Sequence, residues 1–149
     1  MSANWTTAIL ASTVFAPSDA PVNVGLPIPA PANQKVEFEA QLVLSNGSSE
    51  GAACPGVAWG VGLAYGLAEI RRPVSQRSET LDTGNANTPA VQAGSADSEF
   101  ADQTYLATIK GTFQTGPAPV TVQLTLAASE GYSYAAVKSG SFVKYRVIP

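Results

Sequence analysis

The sequence predicts an all-β protein, an antiparallel β-sandwich of eight to ten strands, and three observations carry that prediction. Short segments alternate apolar and polar residues, as strands with one buried face do. No segment repeats its apolar residues at the helical period over a convincing length. The chain also contains 13 glycines and 11 prolines, which supply turns between the segments. At 149 residues we expect one domain, spanning residues 1–149.

The first third of the chain supplies three candidate strands and a connector. Residues 5–15 and 22–28 are candidate strands that turn residues separate. Residues 27–32 contain three prolines, so we expect a rigid, extended connector there. Residues 36–42 alternate apolar and polar side chains, and this strand is expected to end at the turn signal Asn46-Gly47.

Residues 57–65 predict a further strand with two unlike faces. One face carries the larger apolar side chains: Val57, Trp59, Val61, Leu63 and Tyr65. The other face carries only very small residues, which let another backbone or sheet approach closely: Ala58, Gly60, Gly62 and Ala64. We therefore expect these four residues to pack at an interface between sheets or subunits. Another strand is predicted over residues 66–72.

The last third of the chain shows the clearest alternation. Residues 75–102 are polar and acidic, and we expect a loop with one weak strand near residues 88–93. Strands are then predicted over four segments, with a turn at Ser139-Gly140 before the last: residues 105–115, 120–126, 132–138 and 141–148. In the last strand Val143, Tyr145 and Val147 share one face, while Lys144 and Arg146 lie on the other. The strand count suits a jelly roll.

Composition excludes several classes of function. With no histidine, the chain has no imidazole base and no histidine metal ligand. The net charge of -3 argues against a nucleic-acid surface. Cys54, the single cysteine, is expected to be a small buried side chain, and no intramolecular disulfide can form. Arg71-Arg72 is expected to be a charged surface pair at the end of a loop. Neither a signal peptide nor a membrane span is expected, so we predict synthesis in a reducing cytoplasm.

The polar and aromatic clusters have plain structural interpretations. Glu37 and Glu39 share one strand face with Gln41, and we expect a solvated face without catalytic function. The acidic segment 79–102 lacks the spacing of a calcium-binding loop, so no metal and no cofactor is predicted. Tyr132 and Tyr134 share a face, where they would either pack in the core or bind a sugar or protein partner. Trp5 and Trp59 are expected to be buried.

Several segments together resemble a family of phage proteins. They are Trp5, residues 12–15 (STVF), 31–33 (PAN), the alternating strand over 36–44, 56–60 (GVAWG), 127–130 (AASE) and 137–148 (VKSGSFVKYRVI). The chain is similar to small bacteriophage structural proteins whose architecture is that of the trimeric C1q/TNF jelly-roll heads. The resemblance spans nearly the whole chain but leaves out residues 75–102.

The resemblance implies a virion component without enzymatic activity. The expected assembly is a homotrimer that docks on other virion proteins, as a capsid decoration or a part of a head or tail fibre. The alternative is a receptor-binding head that recognises host-surface glycans through Tyr132 and Tyr134. A glycan hydrolase is disfavoured, because no paired acid and nucleophile can be named. No nucleic-acid partner and no membrane insertion are expected.

Overall fold

Antiparallel strands make up the fold, as a computed structural model of the chain shows. The structure describes residues 4–46, 53–75, 78–85, 90–92, 104–128 and 135–149. Within these ranges there is no helix, and therefore none long and apolar enough to cross a bilayer. The twelve described strands are β1 (Thr6–Ile9), β2 (Val14–Ala16), β3 (Val22–Ala30), β4 (Lys35–Asn46), β5 (Ala53–Ala58), β6 (Leu63–Ser75), β7 (Ser78–Asn85), β8 (Ala90–Gln92), β9 (Thr104–Thr115), β10 (Val120–Ala128), β11 (Ala135–Val137) and β12 (Phe142–Ile148).

The strands form two sheets. The larger sheet has the order β1-β12-β4-β9-β6-β7, and β11 joins it by pairing with β4 and β2. The smaller sheet has the order β3-β10-β5-β8. Every pair among the described strands is antiparallel. The predicted all-β antiparallel sandwich is therefore confirmed.

Eight of the strands pair in a nested pattern that defines the topology. Strand β3 pairs with β10, β4 with β9, β5 with β8, and β6 with β7. The chain therefore forms one long hairpin of strand pairs that is rolled so that successive pairs alternate between the two sheets. This is the jelly-roll arrangement. Strands β1 and β12 extend the larger sheet beyond β4.

The core lies between the two sheets and is filled from alternate positions of the strands. Phe38, Trp59 and Phe113 are fully buried and pack in edge-on or tilted contacts, with ring centroids 6.1 to 6.4 Å apart. Burying one such ring contributes about 1.5–3 kcal/mol from hydrophobic transfer. A Cβ at Gly111 would lie 2.5 Å from the Phe38 ring, so only glycine fits beside this cluster. The predicted burial of Trp59 is confirmed.

Several predicted strands agree with the structure. Strands β4, β9, β10 and β12 cover the segments predicted at residues 36–42, 105–115, 120–126 and 141–148. The turn at Ser139-Gly140 is also present, with Gly140 in the left-handed region at φ 89°. Strand β11 covers part of the segment predicted at 132–138. The predicted strand 5–15 is divided into β1 and β2.

The strand predicted over residues 57–65 is wrong. Strand β5 ends at Ala58, and β6 begins at Leu63. The reason is the backbone of Gly60 and Gly62, whose φ values of 75° and 92° lie in the left-handed region, which ends an extended strand. Val61 between them is 90% exposed instead of facing the core.

Two predicted loops contain strands. The connector expected at residues 27–32 is strand to Ala30, because β3 is an edge strand and an edge strand tolerates prolines. The loop expected at 75–102 contains β7, which pairs with β6 at the edge of the larger sheet. A strand at the edge of a sheet can be polar, so it need not show the apolar alternation of a strand with a buried face.

Candidate functional site

The structure describes only some of the binding and interface residues that the sequence predicts. Tyr132 and Tyr134 lie outside the described residues, so their role stays a prediction. Ala58 is half-buried at the end of β5, whereas Gly60, Gly62 and Ala64 are exposed. The four small residues therefore do not share one strand face, and their interface role stays a prediction.

Gly60 and Gly62 have a local packing role at one end of the sandwich. A Cβ on Gly60 would lie 3.5 Å from Val120 Cγ1, and one on Gly62 would lie 3.8 Å from Val120 Cγ2. The Gly62 carbonyl accepts a hydrogen bond from the Gly116 amide at 3.0 Å. The connection between β5 and β6 is thereby tied to the connection between β9 and β10.

A buried hydroxyl joins the same end of the sandwich to the connection after β3. Thr115 Oγ1 donates to the Pro31 carbonyl at 2.6 Å and accepts from the Gln34 amide at 2.9 Å. The Asn33 amide donates to the Gly116 carbonyl at 2.8 Å. Three connections are held together in this way, and Val61 projects from them into solvent.

The charged residues of the described strands all lie in one sheet. Strands β3, β5, β8 and β10, which make up the smaller sheet, contain no Asp, Glu, Lys or Arg. Strands β4, β6, β7, β9 and β12 of the larger sheet carry all the strand charges. The two outer faces of the sandwich therefore differ in chemistry.

The outer face of the smaller sheet is uncharged and rich in proline. Pro27, Pro29 and Thr121 are exposed on it, and Gln123 is half-buried. Pro29 pairs with Thr121 across the two strands. A depression of about 500 Å³ lies at this end of β3 and β10, lined by Pro29, Ala30, Pro31, Pro119, Val120 and Thr121.

The outer face of the larger sheet carries a row of ion pairs. Glu39 Oε2 lies 2.9 Å from Lys144 Nζ, and Glu39 Oε1 lies 3.6 Å from Lys110 Nζ. Arg146 pairs with Glu37 on the same face. The hydrogen bond from Lys144, followed by the charges of Lys144 and Lys110, lowers the pKa of Glu39 below its ordinary value of 4.5. The prediction that Glu37 and Glu39 share one solvent-facing strand face is confirmed.

Trp5 lies on this face as well and is not buried, contrary to prediction. Its ring lies 4.8 Å from Lys144 Nζ and 4.6 Å from the guanidinium carbon of Arg146, measured from the ring centroid. The cations are attracted to the ring, which explains why a tryptophan remains 37% exposed immediately before the short edge strand β1.

Two neighbouring depressions lie on the outer face of the larger sheet. One has a volume of about 400 Å³ and the other about 280 Å³. They share Glu69 and Lys110 in their linings. The first is lined by Glu37, Leu67, Ala68, Glu69, Gly84, Lys110, Gly111 and Thr112, and the second by Glu39, Ala40, Gln41, Glu69, Arg71, Thr108, Lys110, Phe142 and Lys144. Sequence reasoning missed this surface, because strand order and register bring its residues together.

Arg72 is buried, so the prediction that Arg71-Arg72 is a surface pair is wrong for its second member. The side chain is fully buried, and its Nη1 donates to the Ala53 carbonyl at 2.6 Å. Adjacent residues of a strand face opposite sides of the sheet. One side chain of an Arg-Arg pair within a strand must therefore face the core. Cys54, the neighbour of Ala53, is 2% exposed, which confirms its expected burial.

A metal centre is not formed by the described residues, in which no three Asp, Glu or Cys side chains converge. Most of the acidic segment 79–102 lies outside the described side chains. The expectations about a metal in that segment therefore stay predictions.

Comparisons with known proteins give likenesses of low identity. No protein-family model and no curated protein matches the chain. Eiger TNF from S. frugiperda is 11% identical with a TM-score of 0.46, over 100% of this chain and 94% of that chain. A CocE/NonD family hydrolase from Staphylococcus aureus is 8% identical with a TM-score of 0.42, over 98% of this chain and 37% of that chain. The tripod from the baseplate of bacteriophage Tuc2009 is 12% identical with a TM-score of 0.40, over 97% of this chain and 63% of that chain.

The chain thus spans less than two thirds of the length of the last two structures. At TM-scores below 0.5, these likenesses assign no function to the chain.

Proposed function

We propose that the chain is a non-enzymatic structural subunit of a phage particle, which self-associates as a homotrimer and docks on another virion protein. The observation that carries the self-association is the separation of charge between the two sheets. The cores of protein interfaces are depleted in charged residues, because an ion that loses its water needs a partner. The outer face of the smaller sheet meets that requirement with strands that hold no charge at all.

Prolines and hydrogen bonds restrict the backbone of the same face. Pro27 and Pro29 fix the backbone of β3, and Thr115 ties the connection after β3 to β9. A surface that is already ordered loses little conformational entropy on association. The depression beside Pro29 and Thr121 offers room for a side chain of a neighbouring subunit.

The carboxylates on the opposite face support a non-enzymatic role. Glu37 and Glu39 are each paired with cations, and the pKa of Glu39 is lowered. A general acid must hold a proton near neutral pH, which requires a raised pKa. Glu39 is therefore not suited to protonate a leaving group.

Light scattering coupled to size exclusion tests the trimer. At micromolar concentration we expect a particle of three times the 15.3 kDa chain mass. Thr121→Lys places a charge on the exposed part of the uncharged face, beside the depression, and we expect a monomer. Thr104→Lys is the matched control, since Thr104 is an exposed strand threonine of the larger sheet, and it should remain trimeric. A monomeric parent chain, or a trimeric Thr121→Lys variant, overturns the assembly through this face.

The assignment to a particle is tested separately, because it comes from the resemblance of the sequence segments. Mass spectrometry of gradient-purified particles should detect the chain at a fixed ratio to the other virion proteins. Its absence from such particles counts against the virion role and leaves the self-association result unchanged.

A further inference from the structure

We propose that the outer face of the larger sheet binds a neutral oligosaccharide in the groove formed by its two neighbouring depressions. The groove crosses β4, β9 and β6, and its two parts meet at Glu69 and Lys110. This site is independent of the proposed assembly surface, because the outer faces of the two sheets point away from each other.

The charges that line the groove balance. Three are carboxylates, Glu37, Glu39 and Glu69, and three are cations, Arg71, Lys110 and Lys144. A phosphate, a uronate or a nucleic acid would be repelled by the carboxylates, and a metal ion would be repelled by the cations. A ligand without net charge avoids both repulsions.

The groove also alternates in hydrogen-bonding character. Glu39 is the cross-strand partner of Lys110, and Lys110 is the cross-strand partner of Glu69. An acceptor, a donor and an acceptor are thereby placed side by side, at the strand spacing of about 4.8 Å. A sugar hydroxyl both donates and accepts, so a chain of sugar rings can use all three groups.

The polar groups are held in place and remain accessible. Lys144 and Lys110 fix the Glu39 carboxylate from two sides. The Lys110 side chain is 60% exposed, so its ammonium keeps donors for a ligand. Gln41 and Thr108 add neutral polar groups that can both donate and accept.

Apolar surface accompanies these polar groups, as sugar binding requires. Leu67 is 56% exposed in one depression, and Phe142 is half-buried in the other. The C–H faces of a sugar ring pack on such surfaces while its hydroxyls meet the charged groups. The exposed leucine would contribute nothing to a site that binds its ligand through charges alone.

A printed array of neutral, amino and uronic-acid oligosaccharides tests the proposal, followed by titration calorimetry with the strongest ligand. We expect binding to neutral oligosaccharides, weakened at least about tenfold by Lys110→Ala and by Glu69→Gln. Lys35→Ala is the control, because Lys35 is an exposed cation of β4 outside the groove, and it should bind like the parent chain.

Three results would overturn the proposed groove: no binding to any neutral oligosaccharide, a preference for uronic acids, or an affinity that neither groove variant changes. Thermal unfolding and light scattering of each variant show that the fold and the subunit number are retained. A monomeric parent chain that still binds the sugar would overturn the trimer proposal and support the groove, so the two proposals can fail separately.

Discussion

Glu39 links three strands of the larger sheet, because it contacts Lys110 on β9 and Lys144 on β12. Its side chain is 36% exposed, so each contact is a surface ion pair of modest energy. Alternation along one strand predicts the face on which Glu39 lies. Its partners could not be predicted, since they depend on the register between segments that are far apart in the sequence.

Removing the charge of Glu39 should have a small effect that depends on pH. The pKa of Glu39 is lowered in the folded chain, so its ionised form contributes stability above the ordinary value of 4.5 and loses it as the pH falls through the lowered pKa. We expect Glu39→Gln to lower the free energy of unfolding by about 0.5–1 kcal/mol at neutral pH, as for two exposed ion pairs. The difference should vanish well below pH 4.5.

Urea unfolding of the two chains at both pH values measures this effect. Asp19→Asn is the control, because Asp19 is an exposed carboxylate in the connection before β3. A Glu39→Gln difference that persists in acid would show that the side chain acts through packing instead of charge.

At the scale of elements, β9 contains two threonines with opposite hydrogen-bonding status. Thr115 Oγ1 is bonded to the backbone at Pro31 and Gln34, and the residue is 1% exposed. Thr112 Oγ1 is buried and has no hydrogen-bond partner among the described residues. The same substitution should therefore act differently at the two positions of one strand.

We expect Thr115→Val to lower the free energy of unfolding by about 1–3 kcal/mol, because two backbone groups lose their partner. Thr112→Val should leave it unchanged or raise it slightly, because a buried hydroxyl without a partner is replaced by a methyl group of similar shape. Chemical denaturation with an unchanged denaturant slope measures both values. Equal losses at the two positions would contradict the hydrogen-bond assignment.

The elements themselves were predicted to different degrees, for physical reasons. Strands β4, β9, β10 and β12 have one buried and one solvated face, so their alternation is visible in the sequence. Strand β7 lies at a sheet edge and lacks that signature. Strand β3 alternates and was predicted over residues 22–28, but its prolines predicted a connector where the strand continues to Ala30. The end of the strand near Trp59 was not predicted. Glycine is favoured both on a strand face of small residues and in a left-handed turn, so the sequence does not distinguish the two.

At the scale of the whole molecule, the uncharged outer face of the smaller sheet makes the proposed trimer insensitive to salt. Ion pairs between exposed charges are screened at high ionic strength, whereas apolar contacts are not weakened by it. We expect the same trimer mass by light scattering in dilute buffer and in molar sodium chloride. Dissociation in salt would indicate instead that the charged larger sheet forms the interface.

The candidate groove and the charge separation could not be predicted from the sequence, although the sequence contains every residue of both. The larger sheet combines strands from both ends of the chain, and the smaller sheet combines β3, β5, β8 and β10. The separation of charge becomes visible only when strands are sorted by sheet. Alternation identifies strands, but it does not give their order.

The nested pairing of the strands has a consequence for synthesis. Strand β4, in the middle of the larger sheet, pairs with β9 and with β12, and β3 pairs with β10. On the ribosome, β3 and β4 emerge long before these partners are made. Contacts between segments so distant in the chain close slowly. The early strands therefore expose their apolar faces during translation, and we expect the sandwich to close only after β12 has been synthesised.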